Sequence, residues 1–537
     1  MDTGREKILR EDRDYLRRLG YAQELLREMG GFSNFAVSFS IISILTGAVL
    51  LYGYGLKYGG PLINTLGWPL VSAFVLCVAA SMAEIASKYP TAGGLYYWSF
   101  RMGGPGIAWL CAWLNLIGQI TITAGINIGA ATYLTGLVTE TLGIPADAAV
   151  PVLGAINGWN FWLAVMFVLM VPQVILNIRG IRLVARLSEF SVIWHIVGVA
   201  MIALLLTFLG RYHNGWAFLV STTHPANPAD GVMSFAVGPL TVPSLMMRIP
   251  GMKQLYGSGA YAFAFVLGLL QAQWTYTGYD ASAHLAEETY LARMNSAWGV
   301  FLSVAVSAVA GYVALIVLTN AIPPGKIAET AADPYPVLYI VRHALAPFFA
   351  NAIAVIIAGA MWLCGLTSIT SMARMCFAFA RDRGIPAWRL ASRIDSRWST
   401  PAMAIIVTSL LAFLATVYSA AYSVITSMST TSLYLAYSIP IYLNWRNRRR
   451  ERGEYTDPSS APWNLGRYGS ALNLVAIAWI AFITILFSIP PNELAGLTMI
   501  AALIGLMLYW QLSQRRRFRG PAISMEQAEA GFRSALS

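Results

Sequence analysis

A chain of 537 residues that is 57% hydrophobic and only 11% charged is not a soluble globular protein, in which about a quarter of residues carry charge. The formal net charge of +11 comes with no basic run interleaved with aromatics, so a nucleic-acid groove is excluded and the surplus belongs to loops at a membrane surface. Cys77, Cys111, Cys364 and Cys376 lie in apolar segments without a C-x-x-C partner, which argues for packing roles rather than a disulfide framework or a zinc site.

Residues 1–32 form a tail charged with both signs and without an apolar core. It is not a cleavable signal peptide, and it reads as a short amphipathic helix on the cytoplasmic face. Apolar runs follow at 35–56, 68–86, 107–138, 161–176 and 190–209. A loop at 210–258 carries His213 and His224, which read as ordinary loop residues rather than metal ligands. Further runs lie at 260–281, 298–321, 347–379, 402–418, 422–443, 472–487 and 494–512. That makes twelve spans, each near the roughly 20 residues a bilayer core requires. With the N-terminus inside, Arg and Lys concentrate in the inner loops, most densely at 381–397, 446–452 and 515–519. This asymmetry fixes orientation and places both termini in the cytoplasm of a multi-pass protein of the cell inner membrane. The basic loop 445–471 is then inside, as is the polar tail 513–537, which is expected to be poorly ordered beyond 520.

Two spans are interrupted. In the sixth, Trp274, Thr275, Tyr276, Thr277, Gly278, Tyr279 and Asp280 make a polar, glycine-centred run at mid-depth. In the first, Ser43, Thr46 and Gly47 interrupt SFSIISILTGAVLL, with Ile44 and Leu45 between them. Unpaired backbone is costly in lipid, so irregular backbone persists only beside a cavity or inside protein. A kinked helix whose polar groups bond its neighbours is the plain alternative. Two discontinuous helices five spans apart point to an inverted-repeat transporter, with a half-helix start offering N–H groups to an anion and freed carbonyls attracting a cation. A zwitterion suits such a pair.

Four motifs carry a resemblance. They are GYAQELLREMGGFSNFAVSFSIISILTG in the tail and first span, AEIASKYPTAGGLYYW from residue 83, TGYDASAHLAEET in the sixth span and FAFARDRGIP from residue 377. With them the chain resembles the amino acid–polyamine–organocation permease superfamily, and more closely its amino acid, GABA and choline permease branch. The resemblance implies an all-α polytopic membrane protein of twelve transmembrane helices. These would form a five-plus-five inverted repeat (LeuT-like), with spans 1–5 in 33–209, spans 6–10 in 259–444 and two extra spans in 472–512. It implies that a turn matching Leu45-Thr46-Gly47 holds the substrate carboxylate through the N–H groups of Thr46 and Gly47. The family's Gly-Ser-Gly is altered here to Leu-Thr-Gly, which reshapes the pocket. Ser43 would offer a carbonyl to the amino group, as would Trp274 and Thr277, and Trp274 matches a gating aromatic. Three readings of Asp280 stay open: a partner for a cationic substrate, a proton carrier, or a cap on the following half-helix.

Coupling has two candidates. Cys364, Thr367 and Ser368 in the eighth span share a helical face and resemble the sodium site of related carriers. His195, alone in the fifth span, falls where proton-coupled relatives carry a lysine, and an imidazole titrates near neutrality. The proton reading is preferred, sodium is the alternative, and no cofactor is implied. Asn115 and Gln119 share a face of the third span with Thr123, either lining the cavity or bridging helices. Glu287 and Glu288 read as an inner-mouth pair, solvated or ion-paired, and Glu84 as an i,i+4 partner of Lys88. The expected activity is import of a small amino acid or related amine by alternating access. The runner-up is a choline or polyamine-type organic cation carrier, for which Trp274, Tyr276 and Tyr279 offer cation–π faces. A channel or a transporter-like sensor has no charge ring or receptor domain to support it. An enzyme is not supported either, since H-E-x-x-H and G-x-S-x-G are absent. The expected partners are the small-molecule substrate and membrane lipid, with no nucleic acid.

Overall fold

The computed structural model describes residues 2–145, 148–225, 233–237, 240–418, 422–450 and 461–521. In chain order the helices are α1 (Asp2–Arg18), α2 (Gly31–Ile42), α3 (Ile44–Leu50), α4 (Tyr52–Gly59), α5 (Trp68–Lys88), α6 (Leu95–Gly103), α7 (Pro105–Leu142), α8 (Trp159–Ile178) and α9 (Ile181–Leu209). They continue as α10 (Tyr261–Gly268), α11 (Leu270–Thr275), α12 (Ala281–His284), α13 (Ala292–Asn320), α14 (Pro336–Ala344), α15 (Pro347–Arg381), α16 (Ala402–Tyr418), α17 (Tyr422–Arg450), α18 (Gly469–Leu486) and α19 (Glu493–Tyr509). Shorter helical turns occur between them. Sheet structure among the described residues is limited to two small hairpins, the longer pairing Ser234–Val237 with Leu240–Pro243.

The apolar runs fall largely in helices, the first and sixth of them in broken pieces. Nine helical stretches among the described residues are long and apolar enough to cross a membrane, and Ala402–Thr416 is a shorter apolar one. The chain is an all-α polytopic membrane protein. The long third and eighth runs extend further than the sequence pattern suggested, to 38 residues in α7 and 35 in α15. Both begin with a proline at the first helical position, where its missing N–H costs nothing.

The bundle is inside-out in polarity relative to a soluble protein. α8 and α9 present Phe167, Val168, Phe190, Ile193, Ile196 and Leu204 outward, a surface suited to hydrocarbon. Its centre buries Asn115, Gln119, Gln273, Asp280, His284 and Arg374. α7 packs on α15 and α17, while α2 and α5 pack on α13. The long helices α5, α7, α13, α15 and α17 surround the broken first and sixth spans.

Two helices were not anticipated. α6 follows α5 through a turn at Tyr89–Gly94, and α14 lies between α13 and α15. α1 is the expected N-terminal helix. It is docked rather than free, with the Tyr15 hydroxyl donating to the Lys88 carbonyl at 2.9 Å and the Leu291 N–H to Asp12 at 2.8 Å. The 210–258 loop is described in part, and its His213 and His224 each bond a nearby backbone carbonyl at 3.0 Å. Residues 451–460 of the basic loop and the tail from 522 onward lie outside the described residues.

Candidate functional site

The first span breaks at Ser43. That residue has φ 34° and ψ 85°, ending α2 in a left-handed conformation and starting α3. The sixth span ends α11 at Thr275, runs irregularly through Tyr276–Asp280 with Gly278 at φ +83°, and resumes as α12. The two breaks touch. A Cβ on Gly47 would lie 2.8 Å from the Thr275 Cα and 2.6 Å from its hydroxyl. A Cβ on Gly278 would meet Ile41 at 2.3 Å. Glycine is required at both places for the two broken helices to approach.

Between the breaks lies a nearly closed cavity of about 10 Å³, lined by Ile41, Ile122, Ile126, Trp274, Thr277 and Cys364 together with Thr46 and Gly47. The larger cleft among Gly103, Ile107, Tyr442 and Arg446 shares none of these residues and carries none of the polar groups of the breaks.

The donor set of the first break differs from the expectation. The amides of Thr46 and Gly47 both donate to the Ser43 carbonyl, at 2.8 and 2.9 Å. They are satisfied inside the turn, and so is that carbonyl. The first amides of a helix lack intrahelical partners, which leaves those of Ile44 and Leu45 as the open donors. The Ser43 hydroxyl bonds Thr46 Oγ1 at 2.6 Å and His195 Nε2 at 2.7 Å, while His195 Nδ1 bonds the Ser191 carbonyl at 2.7 Å. A carbonyl only accepts, so Nδ1 carries a proton and Nε2 of the neutral ring takes the Ser43 proton. His195 thus lies against the first break.

In the sixth span the Trp274 carbonyl accepts the Thr277 hydroxyl at 2.5 Å, and the Thr275 hydroxyl returns to the Gln271 carbonyl at 2.7 Å. Trp274 Nε1 donates to Ser429 at 3.0 Å, and its ring meets Tyr422 edge-on. Tyr276 is packed on Trp68 with its hydroxyl on Ser72 at 2.6 Å, and Tyr279 meets Tyr434 edge-on and Tyr437 at a tilt. Neither ring lines the pocket, so of the three aromatics proposed for a cation only Trp274 faces it.

Asp280 does not cap α12: its side chain makes no capping bond there. It faces α7 and α17, accepting from Asn115 Nδ2 at 2.9 Å, Gln119 Nε2 at 3.2 Å and the Tyr437 hydroxyl at 2.8 Å. Its fourth partner, unanticipated, is His284 Nε2 at 3.1 Å. The D-x-x-x-H spacing in TGYDASAHLAEET, one helical turn apart, was the signal for it. Asn115 and Gln119 do share a face, and that face binds Asp280.

The eighth-span hydroxyls are engaged. Thr367 returns to the Leu363 and Cys364 carbonyls at 3.1 and 3.0 Å, and Ser368 bonds Thr123 at 2.7 Å. The Cys364 thiol points to the Ile41 carbonyl at 3.3 Å. Thr367 and Ser368 therefore bond their own helix and α7, and only Cys364 reaches the first span.

At the far end of the sixth span, Glu287 and Glu288 are buried and ion-paired rather than solvated. Arg381 grips Glu287 through two bonds at 3.1 and 3.0 Å, and Arg374 grips Glu288 through two at 3.1 Å. The N-terminal segment closes over them. Gln23 donates to the Glu287 carbonyl at 2.7 Å, the amides of Glu28 and Met29 to that of Glu288 at 3.0 and 2.9 Å, and Arg27 to those of Ala286 and Thr289. Burial lifts the Glu24 carboxyl above its ordinary value, opposed by Arg381. Glu84 is held by Arg448, by Asn444 at 3.1 Å and by the Leu465 N–H at 3.0 Å, a long-range set in place of the local pair with Lys88.

Membrane-length helices surrounding two spans that break against each other at buried polar residues define a polytopic membrane protein. The amino acid permease family model matches residues 30–509. The chain belongs to that family, and it is a transporter rather than an enzyme. It is 32% identical to amino-acid permease BAT1 of Arabidopsis thaliana, across 94% of this chain and 95% of the relative. It is 30% identical to the BAT1 homolog of Oryza sativa, with 95% of both chains covered. It is 26% identical to the GABA-specific permease of Saccharomyces cerevisiae, across 96% of this chain and 86% of the relative.

Proposed function

We propose that the protein imports a small neutral amino acid, of the α-amino or GABA type, driven by a proton gradient. Transport proceeds by alternating access between two inverted five-helix repeats, in an inner membrane with both termini cytoplasmic. The observation that carries the reading is the meeting of the two broken spans. Gly47 lies on Thr275 there, and the half-helix start at α3, whose first amides lack intrahelical partners, is of the kind that receives a carboxylate. The pocket is lined by isoleucines, Trp274, threonines and Cys364, with no carboxylate among them. That supports a neutral substrate over a polyamine or choline, since Asp280 is occupied by four partners of its own.

A thermal-shift screen of the purified protein against alanine, GABA, arginine, spermidine and choline tests the substrate class. A ligand that binds only the folded state raises the melting temperature. Alanine or GABA should do so, and a shift with spermidine or choline alone would reverse the assignment.

The proton is favoured over sodium because His195 touches the first break while Thr367 and Ser368 have other partners. His195→Ala should remove the dependence of uptake on an imposed pH gradient. Uptake in vesicles that follows sodium and ignores pH would refute the proton and return the coupling site to the eighth span.

A further inference from the structure

We propose that Asp280 and His284 form a proton-binding site that latches the inner half of the sixth span to the turn between α5 and α6. His284 is buried between two acceptors. Nδ1 lies 3.1 Å from the Ala92 carbonyl, and Nε2 lies 3.1 Å from Asp280 Oδ2. The carbonyl can only accept, so Nδ1 carries hydrogen. The contact between Nε2 and Oδ2 then needs a second hydrogen, either on the ring as an imidazolium or on the acid. The remaining partners of Asp280 do not remove that need, because the Asn115 and Gln119 amides and the Tyr437 hydroxyl all donate. Tyr437 in turn receives the Gly278 N–H at 3.3 Å. The observed set of contacts therefore holds one proton more than a neutral histidine beside a carboxylate.

Without that proton one of the two contacts sets a lone pair against a lone pair. Either His284 leaves Ala92, or Asp280 and His284 part. An unpaired buried polar group is costly, so release of the proton loosens the junction. The junction is built for close approach. Gly94 has φ +46°, and a Cβ there would sit 3.0 Å from the His284 ring. The Ala92 N–H is bound separately by Glu287 Oε1 at 3.0 Å.

The titratable groups facing the pair are Cys111 from α7, Tyr434 and Tyr437 from α17, and Tyr279 from its own segment. The charged groups at this end are the ion pairs Arg381–Glu287, with Glu24 beside it, and Arg374–Glu288. Each of those carboxylates already has an arginine, so the shared proton belongs to Asp280 and His284. The inference rests on the alternating-access reading above.

The test is accessibility at Thr91, which is buried beside Ala92. Thr91→Cys in detergent is reacted with a polar maleimide from pH 6 to pH 8. Rates are normalised at each pH to a free cysteine peptide and corrected for labelling of the parent chain. The normalised rate should rise several-fold with pH in Thr91→Cys and stay flat once His284→Gln is added. A flat profile in Thr91→Cys, or a rise that persists with His284→Gln, overturns the latch. If gel filtration shows His284→Gln to be misfolded, Asp280→Asn replaces it, with the same flat profile expected and a persisting rise again decisive. No substrate or gradient enters the measurement. Failure of proton-driven import would appear in vesicle uptake alone, and failure of the latch in the labelling profile alone.

Discussion

Gly47→Leu should abolish uptake while leaving a folded, membrane-inserted protein. The Cβ alone would stand 2.8 Å from a backbone atom of Thr275 and 2.6 Å from its side-chain oxygen. Backbone cannot rotate away as a flexible side chain can, so α3 and α11 must separate. Overpacking of this kind costs about 1–3 kcal/mol, which a bundle of this size tolerates. The geometry between the breaks does not survive it, because the first and sixth spans meet through that same close approach. The leucine side chain would also enter the small pocket that Gly47 edges. Gly47→Ala should lose most of its transport by the first effect alone. Radiolabelled alanine or GABA uptake in proteoliposomes, beside gel filtration of the same preparation, reads both quantities. Wild-type uptake in Gly47→Leu would show that the break between α2 and α3 is not where the solute binds.

The architecture was legible because lipid imposes a simple rule: a span must be apolar for the thickness of the membrane. The positions of the breaks were legible for the same reason, since serine, threonine and glycine at mid-depth stand out against leucine and isoleucine. What the pattern could not supply was direction. That Asp280 turns toward α7 rather than capping α12 depends on the rotation of two long helices. That Thr46 and Gly47 close on Ser43 depends on one positive φ. Ion-pair partners were legible only in part. Local spacing offered Glu84 only Lys88, and left Glu287 and Glu288 at a mouth, solvated or paired with groups it could not name. The fold instead joins Glu84 to Arg448 and the other two to arginines of α15, 94 and 86 residues away. A helical register of four residues is visible in a sequence, whereas a contact across ninety is not.

Arg374→Ala should destabilise the protein by about 3–5 kcal/mol, the cost of leaving a buried charge without its partner. Arg374 and Glu288 are 0% and 1% exposed at their side chains, and two bonds of 3.1 Å join them. The pair holds more than itself. The Glu288 carbonyl receives the Glu28 and Met29 amides, so the N-terminal segment is anchored on the residue that Arg374 positions. Removing the arginine leaves a carboxylate in an apolar helix packing, with water as its nearest remedy, and the route for water is past that segment. The single mutant should therefore melt several degrees lower and become sensitive to proteolysis near residues 19–30. The pair itself contributes little net stability against an apolar replacement of similar volume, because desolvating both ions offsets their attraction. Arg374→Met combined with Glu288→Gln should recover most of the lost stability. The difference between the two results separates the coupling of the pair from the general packing of α15. Equal melting temperatures for the single and double mutants would mean that Glu288 finds another partner, and that Arg374 is not what fixes the Glu288 end of the sixth span.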